Sequence, residues 1–435
     1  MTTSVGVNVR PNPRAGAASF YLVWAGQAIS KSAGPFQLIA VSLWAVVAGH
    51  GAIGVSVVTS SGLFGTLVGT LIGGVVADRL GVLKTIAICD AARFVISACI
   101  ASAILFDDGN FFAFVVGCSF IGNLVTGIFG PTLRSLTPEL LRPEQYEMGN
   151  SIFTAVTSVA QLVGAVLGGL AVALVGPVVA IEINSASFFV GFATSIVVIH
   201  IRGSMNVTKD CRRKPPLTAM LEGLRYVMKT PWLRTLLVVD SVVDLVTAGQ
   251  LFVGLPILAT AHGGGIAMGL LLSGYGAGAL TGSILSGRLS WRRLRSVRGI
   301  LILNVVQAPF LAAIPFLPLP FAVASLGLGG VINAMTMTYY MSLVHRSVPA
   351  ELQSRVMSVL MSGGLVLQPL GTLALGVIAS SGHLTLSFFW GGVIMACVGL
   401  IAARSKGANH TGYAPAEGHP IQDGRAPGPV SGLNG

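Results

Sequence analysis

The sequence predicts an all-α membrane protein: twelve transmembrane helices arranged as two six-helix pseudo-repeats. Three observations carry this. Only 9% of the 435 residues are charged and 53% are hydrophobic, where a chain that covers its surface for water needs about 25% charged residues. Twelve apolar stretches reach the length of roughly 20 residues that a helix needs to cross about 30 Å of hydrocarbon. Landmarks of the first half return in the second at a fixed offset. A water-soluble enzyme is excluded. The five cysteines, Cys89, Cys99, Cys118, Cys211 and Cys397, stand singly, without the spacing of a zinc site or a disulfide framework. No metal and no cofactor is expected.

The first six spans run Phe20 to Val47, Ile53 to Val76, Leu83 to Phe106, Phe111 to Leu133, Met148 to Val175 and Val178 to Ile199. After a polar break come Leu233 to Leu258, Ile266 to Leu285, Val297 to Phe316, Leu319 to Val344, Val356 to Ala379 and Leu384 to Ala403. The first span is too long and too poorly terminated for a cleaved signal peptide, so it is expected to stay in the mature chain. Of the 26 Lys and Arg residues, only Lys31 and Arg93 fall within spans away from their ends. With the N-terminus inside, every other one sits on the cytoplasmic side, and the outer loops hold His50, Asp107, Asp108, His262 and His383 instead. The net charge of +11 therefore reads as a topology signal and a basic face toward anionic lipid, with no nucleic-acid partner. The expected location is the inner cell membrane, multi-pass, with both termini cytoplasmic.

Gly65, Gly69, Gly73, Asp78 and Arg79 match Gly274, Gly278, Gly282, Gly287 and Arg288 at an offset of 209 positions. The turn from Ser135-Leu136 to Pro143-Glu144 resembles that from Ser342-Leu343 to Glu351. Duplicated six-span halves are typical of secondary transporters, with the substrate site near the midplane between them. Glycines every four residues stack on one helix face and permit close helix packing, a better reading than a nucleotide loop, since the strand, turn and helix of that loop are absent. No phosphate-binding GxxxxGK[ST] loop exists either, so the energy should come from a gradient and not from ATP.

Domain boundaries follow: 1–19 as a cytoplasmic N-terminus, 20–201 as the first bundle, 202–231 as a cytoplasmic linker, 232–404 as the second bundle and 405–435 as a disordered tail. The linker carries Lys209, Arg212, Arg213 and Lys214, then an amphipathic stretch with Leu217, Leu221, Leu224 and Met228 at helical spacing. That stretch should lie on the inner membrane surface.

An ionised side chain at membrane depth is costly unless it is paired or faces water. Six stand out: Lys31, Asp90, Arg93, Glu182, Asp240 and Asp244. Lys31 lies about 17 Å into its span and reads either as a cavity cation that meets an anionic substrate group or a carboxylate, or as half of a fixed ion pair. Asp240 and Asp244 are spaced i, i+4 on one face, and two such carboxylates repel when both are ionised, as a proton-carrying site requires. Asp90 and Arg93, spaced i, i+3, are expected to pair locally. Glu182 lies near the outer interface. Gln27, Asn123, Gln161, Gln250, Asn333 and Gln368 either line the cavity or bond helix to helix. Trp24 and the pair Tyr339-Tyr340 either stack on a ligand or pack.

The segment Gly74-Val-Val-Ala-Asp78-Arg79-Leu-Gly81-Val-Leu-Lys84 resembles the signature loop of the major facilitator superfamily, with Val82 and Leu83 where a basic residue is common. Leu221-Glu-Gly-Leu-Arg-Tyr-Val-Met-Lys-Thr-Pro-Trp-Leu-Arg234 and Pro143-Glu-Gln-Tyr-Glu-Met-Gly-Asn-Ser151 are similar to the third drug:proton antiporter family, which contains macrolide and enterobactin-type siderophore exporters. The resemblance spans roughly Phe20 to Ala403 and implies the major facilitator fold. It also implies a monomer that exports a drug or natural product by alternating access, commonly driven by protons. It assigns Asp78, Arg79 and Lys84 to the gate, while Lys31, Asp240, Asp244, Gln27, Asn123, Gln250 and Asn333 are the candidates for substrate or proton coupling by their polar character at membrane depth. Because the first and seventh spans border the cavity in that superfamily, it implies a contact between Lys31 and Asp244. Many relatives carry an acidic residue near Gly34, which is missing here. An importer, a lipid or metabolite transporter or an uncoupled facilitator would use the same fold. A membrane enzyme is disfavoured because no Ser/His/Asp set or HExxH appears. A channel is disfavoured because the spans lack rings of repeated charge.

Overall fold

The computed structural model describes residues 13–106, 111–141, 145–202, 216–288, 294 and 296–409. Asp107, Asp108, Pro143, Glu144, the linker cations Lys209, Arg212, Arg213 and Lys214, the first twelve residues and the tail from 410 lie outside them. Within the described residues the protein is all-helical. The helices are α1 (Pro13–Ala45), α2 (Gly51–Leu80), α3 (Val82–Leu105), α4 (Phe112–Arg134), the short α5 (Leu136–Leu140) and α6 (Tyr146–Arg202). The linker helix α7 (Pro216–Lys229) follows, then α8 (Pro231–Gly249), α9 (Leu255–Thr260), α10 (Gly265–Arg288), α11 (Val297–Ala313), α12 (Leu319–Ser347), α13 (Ala350–Ser380) and α14 (Leu384–Ala403).

Ten helical runs among the described residues are long and apolar enough to cross a membrane, and two of them hold two crossings each. Ala18–Leu80 has 63 residues, about 95 Å of helix and three bilayer cores long. It breaks at Gly49 (φ 86°) and Gly51 (φ 59°), conformations that residues with a Cβ avoid. Helix α6 breaks in the same way at Gly176 (φ 85°), just before Pro177. Contacts along α1 show that α6 doubles back. Its first limb rises with α1, with Gly149 near Phe20, Gly164 on the Ser32 carbonyl and Gly168 on Phe36. Its second limb returns, with Asn184 bonded to Gln37 and Gly191 against Gln27. Twelve crossings result, as the apolar stretches predict.

The sequence duplication is also a duplication of packing. Gly65, Gly69 and Gly73 of α2 let that helix approach the α4 backbone at Phe120, Leu124 and Ile128. Gly274, Gly278 and Gly282 of α10 do the same against Val323, Gly327 and Val331 of α12. Both partner sets advance by four residues, so the helices run side by side in one register, and a Cβ at any of these glycines would strike the backbone opposite.

The turns near residues 46–51, 176, 261–264 and 381–383 define one end of the bundle, which carries histidines but no Lys or Arg among the described residues. We call it the neutral end. The other, basic end carries Arg79, Lys84, Arg134, Arg288, Arg346 and Arg355. The two halves are shut together toward the neutral end. On one seam the Ser60 hydroxyl lies 2.6 Å from that of Thr372, and Gly376 packs on Ser56. On the other, Gly169 of α6 meets the backbone of Gly265 and Gly269. At the basic end Asp78, Arg79, Gly287 and Arg288 stand exposed. Large apolar side chains such as Phe64, Ile121, Leu174, Val377 and Ile401 are exposed around the outside, a surface suited to lipid and not to water.

Candidate functional site

The core of the first half is split. Phe20, Trp24, Ile86, Phe129 and Leu133 form a cluster toward the basic end, and Phe36, Trp44, Val55, Ile100 and Ile181 form another toward the neutral end. A polar layer separates them. Gln27 of α1, fully buried, donates from Nε2 to Asp90 Oδ2 at 2.7 Å. Asp90, also fully buried, is ion-paired with Arg93. The Arg93 guanidinium rests over the rings of Phe129 (3.8 Å) and Phe188 (4.6 Å). One turn further on, Gln37, Ser97 and Asn184 bond one another across α1, α3 and α6. The i, i+3 pair read from the sequence is therefore part of a node that ties four spans together. Lys31, half-buried one turn after Gln27, has Asp90, Arg93 and Arg134 among its electrostatic neighbours. A side chain added at Gly34, one turn beyond Lys31, would meet nothing within 4 Å.

The second half is built differently. Asp240 and Asp244 are half-buried on one face of α8. Asp244 takes a hydrogen bond from Gln368 of α13, and its carboxylate occupies the space that a side chain at Gly364 would fill. The phenol of Tyr275 on α10 lies within electrostatic reach of Asp244, and that of Tyr340 on α12 within reach of both acids. No Lys or Arg lies between Arg234 and Arg288, between Arg298 and Arg346 or between Arg355 and Arg404. The electrostatic neighbours of the pair include no cation among the described residues.

The remaining polar residues divide by burial. Gln250 is fully buried where α8 ends in a single π-turn, Gln250–Gly254. Its Nε2 donates to the Phe388 carbonyl at 3.2 Å and packs on Gly391, so it ties α8 to α14. Asn123 is half-buried and bonds the Ser119 carbonyl of its own helix while covering Gly62. Asn333 is half-buried on α12, two turns before Tyr340 on the same face. The side chain of Gln161 lies outside the described residues. Trp24, Tyr339 and Tyr340 are buried and pack inside the halves. Glu182 is exposed near the neutral end. Asp78, Arg79 and Lys84 are exposed at the turn between α2 and α3. Sequence reasoning missed Gln37, Ser97 and Asn184, whose spacing along the chain carries no signal, and Tyr275, which reads as one more apolar position of a glycine-rich span.

The sequence pattern of the Major Facilitator Superfamily matches residues 18–372, more than half of the chain. The chain belongs to that superfamily. Among curated relatives this facilitator is 25% identical over 383 residues to the multidrug efflux pump Tap of Mycolicibacterium fortuitum, covering 86% of this chain and 93% of that one. It is equally similar, over 389 residues, to Tap of Mycobacterium tuberculosis, covering 86% and 90%. Among solved structures, a peptide transporter of the POT family bound to alafosfalin superposes with TM-score 0.69 at 12% identity over 91% of this chain and 98% of that one. A bacterial homologue of the lysosomal transporter Spinster, inward-facing and unoccupied, superposes with TM-score 0.67 at 14% identity over 93% and 100%. At such identities the likeness is one of fold. The facilitator fold places α1 and α8, and so Lys31 and the Asp240/Asp244 face, at corresponding positions of the two halves.

Proposed function

We propose that this facilitator exports a small organic molecule across the cell membrane, exchanging it for protons at the Asp240/Asp244 face of α8. The observation that carries the reading is this half-buried acid pair with no counter-cation among the described residues, in a bundle whose halves meet toward the neutral end. Two carboxylates held like this are stable when they carry protons or when a mobile cation stands beside them, and alternation between those states is what an exchanger needs. The relatives named as multidrug efflux pumps support the outward direction. Because the basic residues gather at one end, we place that end and both termini in the cytoplasm, with the bundle in its inward-facing state.

Asp78, Arg79 and Lys84 act as gate charges: exposed here, they meet the basic-end turns of the second half when that end closes. Lys31 sets the charge of the first-half wall, and Asn123 of α4 and Asn333 of α12 are half-buried polar residues of the first and second halves. Gln27 and Gln250 support the site from behind, through Asp90 and Phe388. The exposed Leu221, Leu224 and Met228 of α7 face lipid headgroups, while Gly223 and Glu222 dock the helix on Arg355 of α13.

The test is accumulation of a panel of labelled antibiotics and siderophores in cells with and without the gene, each with and without an uncoupler. The reading expects lower accumulation of some compounds with the gene and loss of that difference with the uncoupler. Equal accumulation throughout contradicts export, and a difference that survives the uncoupler contradicts proton exchange.

A further inference from the structure

We infer that Cys99 of α3 and Cys118 of α4 form a dithiol site at membrane depth, which takes a neutral, lipid-soluble trivalent arsenical with one arsenic bridging both sulfurs.

The spacing of the two cysteines along the chain does not pair them; the packing of α3 on α4 does. Ile96 lies opposite Gly122, where an added Cβ would come 3.2 Å from the Ile96 Cγ2. On the basic side of that contact the Arg93 guanidinium rests over the Phe129 ring. The helices therefore run antiparallel. One turn toward the neutral end, α3 advances from Ile96 to Cys99 and α4 goes back from Gly122 to Cys118, about 4.5 and 6 Å along the two axes. Cys99 is turned about 60° from Ile96 and Cys118 about 40° from Gly122, and between antiparallel helices these rotations fall on the same side. With axes about 8–9 Å apart, the two Cβ atoms come roughly 5 Å from each other. In agreement with this register, Cys99 is an electrostatic neighbour of Cys118. Both thiols are free and half-buried.

The side they share is the lipid face. On α3 the stripe through Cys99 carries the exposed Ile88, Val95 and Phe106, and on α4 the exposed Phe114 and Ile121 flank Cys118. Each cysteine lies about 9 Å along its helix from the neutral end. Hydrocarbon keeps out water-borne oxidants and hydrated metal ions, so a ligand for this pair has to be neutral, soluble in lipid and able to react with thiols as they stand. An organoarsenical R–As=O meets those demands. Two As–S bonds form, the arsenic–oxygen bond breaks, the oxygen leaves with both thiol protons as water, and arsenic stays trivalent. No oxidant or reductant is consumed. The second bond closes within one molecule, which is the source of tight binding. Cys89 is about 15 Å from Cys99 along α3 and Cys397 is in the other half of the chain, so each offers a single bond. Because α3 and α4 belong to the same half, the bridge staples that half and does not cross the seam between halves.

The probe is phenylarsine oxide, one equivalent, on the purified full chain in detergent. We expect it to stay bound in excess 2-mercaptoethanol, to leave with 2,3-dimercaptopropanol, and to raise the thermal midpoint. Cys99→Ala and Cys118→Ala should each lose at least about a hundredfold in affinity together with the rise in midpoint. A chain that keeps only Cys99 and Cys118, with Ala at the other three cysteines, should behave as the wild type. Should a single variant aggregate on gel filtration, Cys99→Ser, Cys118→Ser and mapping of arsenic-bridged peptides in the wild type decide instead. Release by 2-mercaptoethanol, retention of tight binding in both single variants, or a bridge that maps to another pair of cysteines overturns the inference.

Discussion

In the first half, Asp90 is enclosed by an arginine on its own helix, a glutamine from α1 and two phenylalanine rings that cover the arginine. In the second half, Asp240 and Asp244 stand half-buried within electrostatic reach of tyrosines and beside a glutamine, with no cation among the described residues. The difference teaches how one bundle uses membrane-depth charge for two ends. A carboxylate that carries its own counter-ion, satisfied and dry, fixes helices relative to one another. On the proposed reading, a carboxylate without one is left to react with what enters between the halves. The cores agree: a polar layer divides the first half into two clusters, while one continuous cluster runs through the second.

The comparison breaks most readily at Arg93. Arg93→Leu leaves Asp90 buried without its partner and should destabilise the first half by about 3–5 kcal/mol, seen as a fall in thermal midpoint in detergent. The double variant Asp90→Asn/Arg93→Leu should recover much of that loss. Asp240→Asn and Asp244→Asn should leave the midpoint where it is or raise it. If they destabilise the protein as much as Arg93→Leu does, the two halves do not differ in the way described.

The shut seam gives the next effect. Gly169→Leu places a side chain where Gly265 and Gly269 now touch the α6 backbone, an overpacking cost of about 1–3 kcal/mol paid only in the state closed at the neutral end. A cysteine at Ser60, on a thiol-free background, should then react faster with an impermeant reagent from the neutral side; an unchanged rate removes this seam from the gate. A smaller change is expected at Lys31. Lys31→Met should shift cargo affinity by up to about tenfold, near 1.4 kcal/mol, with gradient-driven transport retained. A loss of folded yield alone would assign Lys31 to the packing of the first half. The least effect belongs to Glu222→Gln, which removes a part-exposed ion pair with Arg355 worth less than about 1 kcal/mol. Transport much below wild type there would mean that α7 does more than rest on the membrane surface.

Much of the fold was legible because lipid imposes it. Span lengths follow from bilayer thickness, and the breaks at Gly49 and Gly176 fall between stretches that the apolar pattern already separates. The glycine ladders of α2 and α10 were readable as close helix contacts, and they make the same contact twice. The site was legible in its charges and not in its neighbours. Asp90 and Arg93 are one turn apart on one helix, so their pairing follows from spacing. Gln27 read as a cavity candidate because nothing along the chain tells which residue of α3 stands beside it; the register of α1 on α3 makes it the ligand of Asp90. Likewise Gln368 bonds Asp244, and Tyr275 and Tyr340 come within its electrostatic reach, from three helices separated by long stretches of chain, and only the packed bundle brings them near.

The most direct measurement is transport in proteoliposomes under an imposed pH gradient, wild type against Asp244→Asn, with matched amounts of monodisperse protein. If the uncompensated acid of α8 couples the two fluxes, the wild type moves cargo against its gradient and the variant does not, while its folded yield is unchanged. Uphill transport by the variant at the wild-type rate would contradict that coupling.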